Sequence, residues 1–456
     1  MKTSHPFRQI VEKTLDRARE HSDQAEVFFL GLKQRSVGHR NGKLRELDET
    51  ENIGIGLRMI KDGRIAQAST SNFERAENLA SQALQLVRYG EPVDMQFPAE
   101  TNVDDSSEVT GDDAAASIES LVSINEILID RIRTYDETIM ANAGGAVEEI
   151  SVHVMNSNGF DHEYSRRSYQ HYAAGVLAEG KNILTCYDFH LGQNPITSPS
   201  DLATQIIDQI RIGRKNVPFS SEVLPILFTP SAVTDIMAAF SAGISGSGVA
   251  RGISPLVGKL GEKIIDERVS ILDDAFFPGA AGSQPFDDEG VPCRTKYLVR
   301  NGVLENYLLD LKSATRLKLA PTGNGFRYTS LIKSRSYVPS PSPSLTNMII
   351  PEGERSHDEI IRDFRRILVV DQLTGVLLGN LINGDWSGNI EYGILYENGE
   401  PLGRIKNAMT GGNFYTMFSN QYVESSRDRK WTAGFGGSAG SNLFPYILCD
   451  AMNVSG

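Results

Sequence analysis

Apolar residues recur at helical spacing in some stretches of this chain and alternate with polar ones in others, so the changes of period predict its elements. Helical spacing over about 6–20 places Phe7, Ile10, Val11, Leu15 and Ala18 on one face. Strand-like segments follow at 25–32, 36–40, 44–47, 54–60 and 65–69. Asn41-Gly42 and Asp62-Gly63 stand between them as type I′ hairpin signals, because both central residues of that turn need positive φ. Helical spacing returns over about 73–89 and again over 113–134. Strands are then predicted around 149–155, 164–177 and 183–191, with a turn at Asn158-Gly159, and a helix over 199–214 closes the series. Each half of this region runs helix, hairpin strands, helix, which fits an internal duplication.

Beyond Ser221 the pattern is richer in strands, with Asn301-Gly302, Asn383-Gly384 and Asn398-Gly399 as turn signals. Thr229 is a good N-cap and Pro230 suits the first helical position, so a helix is expected over 229–245. The Pro/Ser-rich stretch 338–351 should be extended and exposed. Ser356 and Glu359 form a capping box for a further helix. These elements predict an α+β chain with mostly antiparallel sheets. An N-terminal α/β domain is expected over 1–218, as subsegments 1–90 and 113–218 joined by the polar linker 91–112, followed by a β-rich C-terminal domain over 219–456.

Composition narrows the functional classes. Of 456 residues, 40% are hydrophobic and 23% charged, as in a water-soluble globular chain. No apolar run reaches the roughly 18 residues a membrane helix requires. The N-terminal stretch carries no apolar core of a signal peptide, and three scattered cysteines make no framework, so a cytoplasmic location is expected. A net charge of −13 lacks the basic footprint of a nucleic-acid binder.

Three features occur in order: the helix at 229–245, the acidic loop Gly282–Gly290 and the polar turn Pro321–Gly325. With Arg40–Arg58, Gly63–Thr70, Leu298–Tyr307, Gly375–Gly384, Tyr396–Pro401 and Gly411-Gly412-Asn413, they resemble the TldD/PmbA (TldE) peptidase family, long labelled modulators of DNA gyrase. That resemblance implies an N-terminal α/β domain, a barrel-like C-terminal domain and dimers. It also implies that a TldD subunit holds the catalytic zinc while TldE partners it, the pair cleaving unfolded or modified peptides. In the TldD branch the helix carries the metal motif His-Glu-x-x-x-His. The matching positions here are Phe240, Ser241 and Ser245, and none can do that work. Where TldD uses a cysteine near its C-terminus, this chain has Trp431. The pattern is that of the TldE/PmbA branch, with no catalytic residue or cofactor expected in this chain and zinc expected in a TldD-like catalytic partner.

The residues themselves leave other readings open. Asp287, Asp288 and Glu289 of the acidic loop, with Thr322 and Asn324 of the polar turn, are candidates for lining a substrate chamber or for stabilising their own loops. His153, His162 and His171 lie in the central β region, where opposed strands could bring two together around a metal. Such a displaced site would make the chain a stand-alone peptidase. A third reading is a peptide-binding homodimer without hydrolysis. Gly436-x-Ser438-x-Gly440 matches a nucleophile elbow but lacks a following histidine, and Ser330-x-x-Lys333 is a common tetrapeptide. Gly54-Ile-Gly56 lacks the third glycine of a phosphate loop.

Overall fold

A computed structural model describes residues 7–103, 113–329, 334–433 and 440–456. The two serine motifs at 330–333 and 436–440 fall wholly or largely outside these residues, as does most of the acidic half of the expected linker.

The N-terminal half repeats one order of elements. It begins with α1 (Arg8–Arg19), β1 (Gln24–Arg40), β2 (Lys43–Lys61), β3 (Arg64–Thr70) and α2 (Leu79–Val87). It continues with α3 (Ile118–Tyr135), β4 (Met140–Asn156), β5 (Asp161–Glu179), β6 (Asn182–Gly192) and α4 (Pro199–Gly213). The six strands form one antiparallel sheet in the order β3-β2-β1-β4-β5-β6, so two three-stranded units join through β1 and β4. Asn41-Gly42 and Asp62-Gly63 have the positive φ their turns require.

The sequence reading split β1 and β2 into short pieces. Both are continuous, because the polar run 48–52 between the expected strands pairs residue by residue with 32–36 of β1 even though it is exposed and has no apolar face. The helix expected over 73–89 begins as a 3-10 turn (Phe73–Asn78) with Asn72 as its cap.

Side-chain alternation sets what the sheet touches. Ala25, Val27 and Phe29 pack against α1 and α2, and Val37 packs under α3. Their alternates Glu26, Phe28 and Leu30 face the other way, toward the C-terminal half, as do Arg58 and Tyr164. Phe28, Phe160 and Tyr164 meet Phe286 there.

In the C-terminal half, β7 (Glu222–Phe228) pairs with Arg366–Thr374 on one side and with Ser441–Ser455 on the other. Together with Asp385–Glu397 and Met409–Asn413 these strands close a five-stranded barrel, since the ring returns from Ser441–Ser455 to β7. Helix α5 (Pro230–Ile244) packs against this barrel through Val233, Ile236, Met237 and Phe240. The stretch expected to be exposed at 338–351 is so only in part. Leu345, Met348, Ile349 and Ile350 are buried, and Met348–Ile349 pairs with Ile271–Asp273. Composition misled here, because the Pro/Ser alternation ends at Ser344 and four of the six residues between it and Pro351 are apolar.

Candidate functional site

Helix α5 forms as its sequence predicts. The Thr229 hydroxyl accepts from the backbone N–H of Ala232, and Pro230 opens the first turn. Nearly every residue of the helix is buried. Phe240 lies against Phe414 with ring centroids 5.2 Å apart. The Ser241 hydroxyl donates to the Met237 carbonyl at 3.0 Å, and the Ser245 hydroxyl lies 3.1 Å from that of Ser247. At Ser245 the backbone turns extended and the helix ends, before the short α6 (Gly246–Ala250). A phenyl ring offers a metal no lone pair, and both hydroxyls are already hydrogen-bonded within the chain. These positions therefore do not fit the metal that the His-Glu-x-x-x-His pattern would bind.

The histidine trio is not brought together. The β4–β5 register pairs His153 with Glu163 and His162 with Val154, so His153 and His162 point to opposite faces. His171 lies farther along β5, opposite Gly145 and His190. His153 Nε2 is 2.7 Å from Asp161 Oδ1, and His162 packs on Phe160. Among the described residues no group of three His, Cys, Asp or Glu is placed to hold a metal ion.

The acidic loop is buried and fully engaged. Asp287 accepts from the N–H groups of Glu289, Val291 and Gly325 at 2.8–3.0 Å. Asp288 accepts from the Arg327 N–H at 2.7 Å and pairs with Arg335. Glu289 accepts from Arg58 and from the Leu311 N–H, both at 2.7 Å. Arg58 also forks onto Glu26, which takes a further bond from Arg327 at 2.6 Å. Asn324 donates to Asp273 and to the Ser344 carbonyl at 2.8 Å each and accepts from Thr322. The network thus ties β1 and β2 to loops of the C-terminal half. Burial pushes Glu289 up to about 7 against the pull of Arg58, and burial followed by Glu289 pushes Asp287 well up. Burial alone would lower Arg58, but Glu26 and Glu289 more than offset it.

Sequence reasoning missed the basic half of this network. Arg327 and Arg335 have no motif around them, Arg58 stands only at the end of the family-like segment Arg40–Arg58, and only the meeting of distant segments pairs them with acids. The glycines at 54 and 56 belong to the same arrangement. A Cβ on Gly56 would lie 2.5 Å from the Tyr337 carbonyl, and one on Gly54 would strike the Tyr337 ring, so both let the 335–340 segment cross the sheet.

Beside the network lies a cavity of about 600 Å³ between the two halves. Ile65–Gln67 of β3 forms one wall, Ser340–Pro343 another, and α6 with α7 (Leu311–Leu317) a third. Of the five chamber candidates only Glu289 borders it; Asp287, Asp288, Thr322 and Asn324 do not. β3 is the edge strand of its sheet, and its Ile65 N–H already donates outward to the Glu91 carbonyl. By antiparallel alternation the backbone groups of Gln67 and Ser69 also point outward, and among the described residues they have no hydrogen-bond partner.

A profile of the PmbA/TldA metallopeptidase C-terminal domain matches residues 221–456, just over half of the chain, and one of that family's domain 1 matches residues 25–87. The chain belongs to the PmbA/TldA metallopeptidase family. An uncharacterised protein of Methanocaldococcus jannaschii is 28% identical over 90% of this chain and 93% of its own length. The metalloprotease PmbA homologue of Haemophilus influenzae is 22% identical over 99% and 96%. The crystal structure of TldE from Thermococcus kodakarensis superposes with a TM-score of 0.88 at 22% identity, covering 98% of this chain and all of that one, which establishes the shared fold. Relatives named metalloproteases make a metal plausible in the family, whereas Phe240 and Ser241 of α5 and its C-cap Ser245 supply no metal ligand in this chain.

Proposed function

We propose that this chain is a TldE/PmbA-like, non-catalytic subunit that handles unfolded or modified peptides for a metal-bearing TldD-like partner. The observation that carries this reading is the pairing of an α5 without metal ligands and a cavity bordered by a free strand edge. An extended peptide can join such an edge by main-chain hydrogen bonds, which give affinity with little demand on sequence. The zinc chemistry then belongs to the partner. The acidic loop and the polar turn act as chamber wall and support: every carboxylate of the loop is spent on backbone N–H groups or arginines, which leaves none free as a general base. The two domains, 1–218 and 219–456, meet at the cavity in this reading.

The test is an unfolded, fluorogenic peptide given to the purified chain alone and to its complex with a TldD-like subunit. Cleavage is expected only in the complex and is lost on chelation. Robust, chelator-sensitive hydrolysis by the chain alone would sink the proposal.

A further inference from the structure

The charges at the mouth of the cavity run against the net charge of −13 of the chain. Its deeper charges are already used. Arg58 is held by Glu26 and Glu289, and the Asp310 carboxylate caps α7 by accepting from the Ser313 N–H at 2.8 Å. At the mouth stand Arg251, Lys312 and Arg316 against one acid, Glu91. Glu91 is shared: it pairs with Lys312 and lies 3.5 Å from Arg316. Arg251 is exposed, donates to the Ser247 carbonyl at 3.0 Å, and has no acidic partner among the described residues. A mouth of three cations and one acid, on a chain of net charge −13, favours an anion at this one place.

We infer that the cavity takes an extended peptide by a carboxylate, with Arg251 as its principal partner, Lys312 and Arg316 in support, and the peptide backbone added along Gln67 and Ser69 of β3. This rests on the peptide-handling reading above and names what that site selects. An arginine can bind a carboxylate through two parallel N–H bonds, and a strand edge beside it fixes the direction of the bound chain. The carboxylate can be the peptide's own C-terminus or an acidic side chain, since the two share their chemistry.

The experiment compares three short labelled peptides, equal in sequence except for a free C-terminus, a C-terminal amide, and an amide with one internal glutamate. Binding to the full chain is read by fluorescence anisotropy. The free acid is expected to bind about tenfold or more tightly than the amide, as the loss of one charge-assisted hydrogen bond implies. Arg251→Gln should remove that preference, and Lys312→Gln should reduce it by a smaller factor. Tight binding of the internal-glutamate peptide but not of the free acid assigns the carboxylate to a side chain, tight binding of the free acid alone assigns it to the terminus, and tight binding of both shows that either serves. Equal binding of all three peptides overturns the carboxylate assignment while leaving the peptide reading intact. Failure of all three to bind, or to slow hydrogen exchange at Gln67 and Ser69, overturns both.

Discussion

Helix α5 and the network between the two halves are both buried, and they solve burial in opposite ways. On α5 the positions matched to a metal motif hold Phe240 and two serines, and the helix is fixed by apolar contact with the barrel. Between the halves four acids, Glu26, Asp287, Asp288 and Glu289, meet three arginines, and every carboxylate there is hydrogen-bonded. A buried charge without its partner costs far more than a missing methylene. The chemistry-bearing residues of this chain are therefore held in its joint, and the matched positions of α5 carry packing.

Glu26→Ala should produce the largest effect, because it leaves the buried Arg327 without its carboxylate and takes one of two carboxylates from Arg58. Stability should fall by about 5 kcal/mol, read as a lower urea midpoint. A loss under about 1 kcal/mol would mean that the network does not hold the halves together. Phe240→Ala should cost somewhat less, about 3–4 kcal/mol, through lost contact with Phe414 and the cavity left behind. Chelation should change neither variant's urea midpoint; a midpoint that falls when metal is removed would contradict the packing role of α5.

His171 sharpens the comparison from a third setting. It is fully buried on β5, and neither ring nitrogen has a hydrogen-bond partner among the described residues. Burial, with His190 beside it, pushes its pKa down to about 4. An unfolded histidine titrates near 6.5, so the folded state binds fewer protons between those values. The stabilisation is present above about pH 6.5 and is lost as pH falls toward 4, by up to about 3 kcal/mol. His171→Leu should flatten the stability profile in that window; an unchanged slope would move the effect to another group.

Much of the secondary structure was legible because it rests on local rules. The Asn-Gly and Asp-Gly turns at 41–42, 62–63, 301–302 and 398–399 take positive φ at both residues, the Thr229 cap forms, and Ser356 with Glu359 makes its capping box. Where local signals fell silent the reading failed. The charged run 48–52, between the expected strands 44–47 and 54–60, lacks periodicity yet is strand, because β1 supplies its hydrogen bonds. The burial of 345–350 depends on strand Ile271–Asp273, far away in sequence.

The sequence alone determined the α+β class, the order of elements, the family and the unsuitability of Phe240, Ser241 and Ser245 as metal ligands, since residue identity and period are local facts. Only the tertiary structure decided which face of the sheet carries charge, that Arg58, Arg327 and Arg335 answer the acidic loop, that His153 and His162 diverge, and that β3 leaves an edge open beside Arg251. Those facts depend on register and on contacts between segments distant in sequence, from Arg327 with Asp288, 39 residues apart, to Arg58 with Glu289, 231 apart. Strand alternation gives every residue two faces, and only the packed fold determines what each face meets.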